Sequence, residues 1–309
     1  MQIPKIYIII ITYNAMKWAE KCFTSVRHSS IPLHCIVIDN GSTDGAQEYI
    51  KTHFPEVDFV RSEKNLGFGK ANNIGIEKAY KEGADFFYLM NQDAWLYQDS
   101  MEKMLKVYND YPQQNEIGII SPMHIDGSEN HMDIYMDRYI AQNTEKNRLI
   151  SDLYMQTLKP YYEVKFINAA HWFIPRNTVE TVGGFSPYFF HYGEDNEYVN
   201  RIHFHQKKVL LVPSAKAVHD GVQSFHKIDL KKYPDMRIET NIMNPGLSHA
   251  LQLEKKSLRQ SMIKNFIVGN MDQYKILSKK KAKISKEEEM LKSLRDQVAQ
   301  KGPTFLKLS

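Results

Sequence analysis

Residues 6–14 read IYIIIITYN, an apolar run that ends at a polar threonine, tyrosine and asparagine. Similar apolar runs lie at 35–39, 58–61 and 86–90, and helical patterns start at about Met16, at about Gly45 and after Gly69. Strands that alternate with helices indicate βαβ units and a parallel sheet. Since the stretches at 8–11 and 35–38 are apolar throughout, the sheet is expected to be covered on both faces. The amino-terminal half is therefore predicted to be an α/β domain of the nucleotide-binding type.

Composition limits the class of protein and its location. The 309 residues, 42% of them hydrophobic, are enough to bury a sizeable core. The two cysteines, Cys22 and Cys35, offer neither a disulfide framework nor paired metal-ligand spacing, which fits a reducing compartment. The apolar run at 6–11 lacks the features of a signal peptide, and no segment approaches the roughly 18 apolar residues that cross a bilayer. A cytoplasmic protein, soluble or peripheral to a membrane, is expected.

The net charge of +4 divides unevenly along the chain. Residues 1–254 carry −5, residues 255–283 carry +8 and residues 284–309 carry +1. A nucleic-acid binder would be expected to have a basic surface across its folded domain, so no nucleic-acid partner is predicted. An acidic body with a basic end instead indicates a segment that adheres to another surface.

Polar residues gather where the predicted strands end. They are Thr12-Tyr13-Asn14 after the first strand, Asp39-Asn40-Gly41-Ser42 after the second and Asn91-Gln92-Asp93 after the fourth. Ligands of open α/β sheets bind outside the carboxyl ends of the strands, although each cluster alone could serve a turn. Asp93 is suited to hold Mg²⁺ or Mn²⁺ whose other positions are filled by water and phosphate oxygens. Capping of its own turn is the alternative role for Asp93.

The loop at 65–72, NLGFGKAN, has glycines where backbone could approach a ligand and Lys70 where it could face a phosphate. It is not a dinucleotide-binding fingerprint, because Asn72 stands where that motif needs glycine and the loop follows the third strand instead of the first. The GxxxxGK(S/T) phosphate-binding loop is also absent from the sequence. These features argue against a dinucleotide-dependent oxidoreductase and an ordinary nucleoside triphosphatase.

Short motifs along the chain resemble glycosyltransferase family 2, in particular its rhamnosyltransferase-like branch. They occur in family order as IITYN (10–14), IDNGSTDG (38–45), NLGFGKANNIG (65–75), LMNQD (89–93), VGGF (182–185), FFHYGEDNE (189–197), VPSA (212–215) and VHDG (218–221). The resemblance covers roughly residues 5–225. It implies the GT-A fold, an α/β architecture with a Rossmann-like mixed sheet flanked by helices, here followed by a helical C-terminal extension.

The resemblance also implies a donor site and a metal site. The residues that it places around a nucleotide sugar are Thr12, Tyr13, Asn14, Asp39, Asn40, Gly69, Lys70, Asn72, Asn91, Gln92 and Asp93. Among them Asp39 would face the uracil or thymine ring, and Asn91-Gln92-Asp93 takes the place of the family's DXD motif. Because Asn91 supplies no charge, Asp93 is the one carboxylate of that triplet, and Mg²⁺ or Mn²⁺ is expected on Asp93 and His219. A capping or packing role for His219 stays open.

The second half of the chain is expected to supply the acceptor site. A strand is predicted at 166–173, a short helix at 179–182 and a helix at 195–205. By resemblance, Asp195 is the general base that takes the proton of the acceptor hydroxyl, and Arg201 is the family's downstream arginine. Glu194 either orients the acceptor or stabilises the helix start through the helix dipole, and both roles stay open.

The implied activity is transfer of a sugar from a UDP- or dTDP-linked donor to a hydroxyl of a saccharide or lipid-linked acceptor. The family's mechanism implies one inverting displacement, in the assembly of a polysaccharide or glycoconjugate. Two alternatives remain, a nucleotidyltransferase and a non-catalytic module that binds sugar nucleotides. The Glu194-Asp195 pair disfavours the first, and the presence of both Asp93 and Asp195 disfavours the second.

We predict a catalytic domain over 1–245, with a donor half at about 1–125 and an acceptor half at about 160–230, joined by a mobile loop or a surface insertion. Residues 246–309 are predicted to form a helical, basic extension with apolar stripes at Leu258, Met262 and Phe266 and at Met290, Leu294 and Val298. Three roles of this extension stay open. They are packing on the catalytic body, contact with a second subunit, and adhesion of the Lys-rich stretch 275–283 to anionic lipid at the inner face of a membrane.

Overall fold

The computed structural model describes residues 4–141, 148–221 and 236–308 and contains one nine-stranded mixed sheet flanked by helices. The strands are β1 (Ile6–Thr12), β2 (His34–Asp39), β3 (Asp58–Arg61), β4 (Phe86–Asn91), β5 (Ala94–Leu96), β6 (Ile117–Ile125), β7 (Tyr162–Val164), β8 (His171–Pro175) and β9 (Lys208–His219). The helices are α1 (Ala19–Arg27), α2 (Ala46–His53), α3 (Phe68–Lys81), α4 (Ser100–Asp110), α5 (Met136–Ile140), α6 (Leu149–Tyr154), α7 (Arg176–Val182), α8 (Glu194–Phe204), α9 (Arg237–Met243), α10 (Ala250–Ile267), α11 (Met271–Lys286) and α12 (Glu288–Ala299).

The sheet runs in the order β3-β2-β1-β4-β8-β6-β9-β5, and β7 pairs with β9. The first four strands of the chain pair in parallel, which confirms the βαβ alternation predicted for the amino-terminal half. β8 runs antiparallel to β4, and β5 and β7 run antiparallel to β9, whereas β6 and β9 are parallel. The predicted mixed sheet is therefore confirmed, and its antiparallel pairs all involve strands that follow β4.

β1 is covered on both faces, as its unbroken apolar sequence predicts. Ile8, Ile9 and Ile10 are fully buried, and burial of each such side chain contributes about 1.5–3 kcal/mol. Ile9 packs in one apolar cluster with residues of α3, while Ile8 and Ile10 pack in a second cluster with residues of α1. A Cβ at Gly75 would overlap the side chain of Ile9, so this glycine lets α3 lie directly on the strand.

Element boundaries in the second half differ from the prediction. The strand predicted at 166–173 begins only at His171, and the loop before it is held by a bond from the Trp172 indole to the Ile167 carbonyl at 3.2 Å. The helix predicted at 179–182 begins at Arg176, directly after the proline that ends β8. The stretch between the two halves carries α5 and α6 in its described part, and residues 142–147 lie outside the described ranges.

The helical extension packs on the α/β body. α10, α11 and α12 share an apolar cluster with α9 and with Phe189, to which they contribute Leu251, Leu258, Ile284 and Leu291. Of the predicted stripes, Val298 is also buried, whereas Phe266 and Met290 are exposed. Within the described ranges, no helix combines the length and the apolar character that spanning a bilayer requires. The division at residue 245 stays a prediction.

A C-terminal segment, residues 302–308, returns to the α/β body and docks on the VGGF turn after α7. Gly184 donates its N–H to the carbonyl of Thr304 at 2.9 Å. Asn73 on α3 holds the backbone of Phe185 with both ends of its side-chain amide. Its Oδ1 accepts from the Phe185 N–H at 2.7 Å, and its Nδ2 donates to the Phe185 carbonyl at 2.9 Å. A Cβ at Gly184 would overlap both the Asn73 amide and Leu306, so this glycine allows three parts of the chain to meet.

We expect Gly184→Ala to lower the free energy of unfolding by about 1–3 kcal/mol, because the added methyl group overpacks a site with no room for it. Urea denaturation of the parent and the variant measures the loss. Gly246→Ala is the matched control, since Gly246 is exposed and its neighbour is the end of the Asn244 side chain. A change within about 0.5 kcal/mol is expected for the control. Equal small losses in both variants would mean that the docking site accommodates a side chain.

Candidate active site

The carboxyl ends of β1, β2 and β4 meet at one edge of the sheet. Thr12 lies opposite Asp39 in the register of β1 and β2, and Asn91 ends β4 on the other side of β1. His219, the last residue of β9, pairs with the first residue of β5, which directly follows Asp93. The structure therefore brings the three predicted polar clusters and the two predicted metal ligands to the same edge.

The carboxylate of Asp39 holds the loop after β2 together. It is fully buried and accepts bonds from the Thr12 hydroxyl at 2.9 Å and the Gln47 amide at 2.7 Å. It also accepts bonds from the backbone N–H groups of Gly41 and Ser42 and from the Ser42 hydroxyl, at 3.1, 3.0 and 2.5 Å. Five donors satisfy this buried carboxylate, so its first effect is to fix the loop that carries Asn40.

The ends of β1 and β4 are joined by a side-chain amide. Gln92 accepts from the backbone N–H of Tyr13 at 2.6 Å and donates to the Tyr13 carbonyl at 3.2 Å. Asn14 has a φ of 53° and accepts from the backbone N–H of Thr43 at 2.9 Å. These bonds leave the Tyr13 ring 48% exposed at the edge of the site, where it can stack on a planar ligand.

The loop before α3 contacts both halves of the molecule. Asn40 accepts from the backbone N–H of Leu66 at 3.2 Å and donates to the carbonyl of Gly67 at 3.4 Å. Gly67 has a φ of 80°, and a Cβ there would overlap the carbonyl of Phe190, which lies four residues before α8. The motif glycine at this position therefore serves a close approach between the donor half and the predicted acceptor half.

The other predicted residues of this motif lie in the first two turns of α3. A Cβ at Gly69 would lie 2.9 Å from the Cβ of Phe185, so packing alone accounts for the glycine. Asn72 is buried and donates to the carbonyl of Phe68 at 3.1 Å. Lys70 is exposed, which leaves its charge available to a ligand.

The imidazole of His219, at the end of β9, lies between the carboxylates of Asp93 and Asp133. His219 Nε2 lies 3.8 Å from Asp93 Oδ1, and His219 Nδ1 lies 3.0 Å from Asp133 Oδ2. Asp133 is buried and also accepts from the backbone N–H of Tyr135 at 2.8 Å, at the start of α5. The bond to Asp133 orients the imidazole so that its other nitrogen faces Asp93.

Carboxylates surround the imidazole of His219. Burial on its own lowers the pKa of His219, but the bond to Asp133 and the charges of Asp93, Asp133 and Asp220 outweigh it and raise the pKa. Asp220 in turn accepts from the Trp18 indole at 2.7 Å and from Lys17 at 3.1 Å. An excess of negative charge at this point favours a cation between Asp93 and His219.

The donor set fits a divalent ion that the protein holds with few ligands. Asp93 supplies an oxygen and His219 a nitrogen, both acceptable to Mn²⁺. The Oδ1 atom of Asn91, close by at the end of β4, is buried and has no hydrogen-bond partner among the described residues. No group of three or more histidine, cysteine, aspartate or glutamate residues in the described ranges could enclose a metal ion. A metal here would need oxygens from a ligand to complete its coordination.

Glu194 and Asp195 open α8 behind Gly193, whose φ of 93° turns the chain into the helix. Glu194 is buried, and burial followed by the charge of Asp195 raises its pKa to about 8. Burial also raises the pKa of Asp195, although Asn196 donates two bonds to its Oδ1 at 2.7 and 2.9 Å. No donor among the described residues reaches Asp195 Oδ2, so this oxygen is available to a ligand.

Arg201 fixes the direction of α8. The guanidinium is fully buried and donates to the carbonyls of Val182 and Gly184, at 2.6 and 2.7 Å. It also donates to Glu197 Oε2 at 2.9 Å, while its Nε lies 2.8 Å from Oε1 without hydrogen-bond geometry. Arg201 is thus a structural tie between α8 and the VGGF turn.

Sequence reasoning missed Asp133 and Tyr139. Both lie in the stretch between the two predicted halves, which offered no motif. Burial raises the pKa of the Tyr139 phenol, and the charges of Asp195 and Asp133 raise it further. Tyr139, on α5, is therefore within electrostatic range both of Asp195 at the start of α8 and of Asp133, which bonds His219. Asp220 could have been found, because it follows His219 directly in the VHDG motif.

The family model of glycosyl transferase family 2 matches residues 7–169, more than half of the chain. The chain belongs to this family. The dTDP-rhamnosyl transferase RfbF of Shigella flexneri is 22% identical over 215 residues, which are 69% of this chain and 68% of that protein. The N-acetylglucosaminyl-diphospho-decaprenol L-rhamnosyltransferase of Mycobacterium tuberculosis is 24% identical over 237 residues, 70% of this chain and 76% of that protein.

Solved structures show the GT-A fold of this family 2 glycosyltransferase. Residues 1–349 of S. aureus TarS in complex with UDP-GlcNAc match with a TM-score of 0.53 and 14% identity, over 82% of this chain and 71% of that one. This chain covers 42% of the longer TarS chain. The mannosyltransferase PcManGT of Pyrobaculum calidifontis, in complex with GDP-Man and Mn²⁺, matches with a TM-score of 0.52 and 14% identity, over 96% and 85%. The comparisons favour neither a nucleotidyltransferase nor a non-catalytic module.

We expect Glu194→Gln to change how the stability of this glycosyltransferase depends on pH. Because the folded-state pKa of about 8 exceeds the usual 4.5, the folded protein binds this proton more tightly than the unfolded chain does. The free energy of unfolding of the parent therefore falls as pH rises from about 4.5 to about 8. The variant has no such proton to lose. Its free energy of unfolding, relative to that of the parent, should therefore increase by at least about 1 kcal/mol between about pH 5 and about pH 8.

Urea denaturation at several pH values measures this difference. Glu20→Gln is the control, because Glu20 is an exposed acid in the first turn of α1. Its profile should follow that of the parent. Parallel profiles for the parent and Glu194→Gln would contradict a buried, proton-binding Glu194.

Proposed function

We propose that this chain transfers one sugar from a UDP- or dTDP-linked donor to a hydroxyl of a saccharide or lipid-linked acceptor, with inversion and with the help of Mg²⁺ or Mn²⁺. The observation that carries the proposal is the 3.8 Å approach of Asp93 and His219 at the edge where the strand-end clusters gather. Two relatives are named as rhamnosyltransferases, one with dTDP in its name and one with a diphospho-decaprenol acceptor. These names favour a rhamnosyl donor and a lipid-linked acceptor.

The proposed donor site uses exposed groups around a rigid loop. Tyr13 would stack on the base, and Lys70 would meet the diphosphate. Asp39 would act through the loop that it fixes, because five protein donors already occupy its carboxylate. It would reach a base only by exchanging one of these bonds.

The proposed metal site takes two ligands from the protein. Asp93 would bind through its carboxylate and His219 through Nε2, with Asp133 behind the imidazole as an orienting carboxylate. A bound Mg²⁺ or Mn²⁺ would stabilise the charge that develops on the diphosphate as it leaves. PcManGT, which shares the fold, was solved with Mn²⁺.

Asp195 is the proposed general base. The acceptor oxygen attacks the anomeric carbon while the bond from that carbon to the diphosphate breaks, and the nucleoside diphosphate leaves with the bonding electrons. Asp195 Oδ2 takes the proton of the acceptor hydroxyl. Attack on the face opposite the leaving group inverts the configuration. Glu194 is less suited to this role, because a pKa of about 8 keeps it mostly protonated near neutral pH.

Asp93→Ala should weaken metal-dependent binding of the donor at least about tenfold, because it removes the carboxylate that faces His219 Nε2, the nitrogen that Asp133 leaves available. Calorimetry with dTDP-rhamnose and with a panel of UDP-sugars, each with Mn²⁺ and with EDTA, measures the effect. Asp110→Ala is the control, since Asp110 is an exposed carboxylate at the end of α4. Donor affinity that is the same in EDTA and in Mn²⁺ would rule out the metal role.

Asp195→Asn should retain donor and metal affinity but reduce transfer at least about 10²-fold, because the amide cannot accept the proton. Transfer to a saccharide acceptor at saturating substrates is compared with nucleotide affinity and thermal unfolding. Glu194→Gln is the control at the same helix start and should retain measurable turnover. The assignment is wrong if Asp195→Asn transfers sugar within a few fold of the parent, or if both variants lose stability and activity together.

A further inference from the structure

The hairpin formed by α10 and α11 extends beyond the apolar cluster that anchors it. Leu258 is the last buried residue of α10, and the next buried residue along the chain is Ile284 on α11. No residue from 259 to 283 is buried. At 1.5 Å per residue, the nine residues of α10 after Leu258 reach about 13 Å past the last buried contact.

Large apolar side chains are concentrated at the end of this hairpin. We define the apolar tip as Ile263, Phe266, Ile267, Val268 and Met271. Ile267 and Val268 are 76% and 66% exposed, and the Phe266 ring touches only the Tyr274 ring among the aromatic contacts of the described residues. Neighbouring exposed apolar residues of this kind mark a surface that binds a partner.

Positive charge surrounds the apolar tip. Its exposed basic neighbours along the two helices are Arg259, Lys264, Lys275 and Lys279. Asp272 is the one acid between residues 255 and 283. We call these four basic residues the basic collar. An apolar tip next to basic side chains is complementary to an anionic lipid bilayer, which presents phosphate groups above hydrocarbon.

The lysines at the base of the hairpin have a different role. Lys280 contacts both carboxylate oxygens of the buried Glu239 at 2.6 Å, and Lys283 lies 3.3 Å from one of them. These two lysines tie α11 to α9 instead of facing outward. The basic stretch 275–283 is therefore not uniformly available to lipid, and the surface that is available lies nearer the apolar tip.

A second copy of the chain fits this surface less well. Two hairpins joined through their apolar tips would bring two basic collars together, and such like-charge contact opposes association. A bilayer with anionic headgroups supplies both the apolar phase and the opposite charge. Lysine and arginine side chains can keep their ammonium and guanidinium groups at the phosphates while their methylene chains lie along apolar surface.

We propose that the apolar tip inserts into the headgroup region of an anionic membrane while the basic collar contacts the lipid phosphates. This surface is distinct from the candidate active site and does not depend on the proposed reaction. It would hold the catalytic body at the membrane through the cluster that α10 and α11 share with α9.

Binding of the full chain to vesicles tests the proposal. The parent should cosediment with vesicles that contain phosphatidylglycerol, and salt should weaken the binding. The double variant Phe266→Ser, Ile267→Ser should bind at least about tenfold more weakly. Lys264→Gln and Lys275→Gln should each lower the affinity about fivefold. Leu253→Ser is the matched control, because Leu253 lies on the same helix and is as exposed as Phe266, at 62% each, but precedes the last buried residue.

Insertion is read directly with an environment-sensitive dye on Phe266→Cys, since the native Cys22 and Cys35 are buried away from the label. Its emission should shift to the blue with phosphatidylglycerol vesicles, and the same dye on Leu253→Cys should not respond. The proposal fails if the parent does not bind, if it binds phosphatidylcholine vesicles equally well, or if the double variant binds like the parent. It also fails if the double variant lowers the mass seen by sedimentation equilibrium and leaves vesicle binding unchanged, because the tip is then a contact between copies.

Discussion

A strand buried on both faces can leave polar side chains open to a ligand only at its ends, and β1 imposes this constraint on the molecule. Ile8, Ile9 and Ile10 leave no polar position in the middle of β1, and Thr12 is the first polar side chain after Tyr7. β2 and β4 lie on either side of β1, so Asp39 lies opposite Thr12 and Asn91 lies opposite Ile11. The polar group in the middle of β4, the Tyr88 hydroxyl, is bonded to His171 at 2.8 Å. Chemistry is confined to this edge because the apolar layers end there.

Buried polar groups at that edge must find partners, and this requirement shapes the loops. The Asp39 carboxylate gathers the N–H groups of its own loop, and Gln92 joins two strand ends through one amide. In the second half of the chain, the buried charge of Arg201 is paired with Glu197 and bonded to two backbone carbonyls. The acid pair at the start of α8 is thereby held in place from behind.

The sequence predicts well those elements whose bounds are determined by residues adjacent in the chain. β1 and β3 agree with their predicted bounds because an apolar run and its polar end are local signals, and the order of the family motifs supports the sheet. Asp133 could not be found, because it meets His219 across 86 residues and no periodicity links them. The VGGF glycines were recognised as a motif, but the need for glycine there comes from close contact with α3 and with a segment more than a hundred residues later. α10 is a helix, as predicted, but of its predicted apolar stripe Leu258 is buried and Phe266 is exposed, because the body beneath the helix ends between them.

The docking of the C-terminal segment on α3 has a consequence for the order of folding. A bond from the Asn73 amide to the Phe305 carbonyl joins residues 232 positions apart, whereas the pairing of β1 with β2 and β4 closes much shorter stretches of chain. Contacts that close long loops carry a larger entropic cost and form slowly. The edge formed by β1, β2 and β4 can therefore assemble early, while the VGGF turn and the helix tied to it by Arg201 are secured last. During maturation, the capacity to hold a donor would precede the capacity to transfer its sugar.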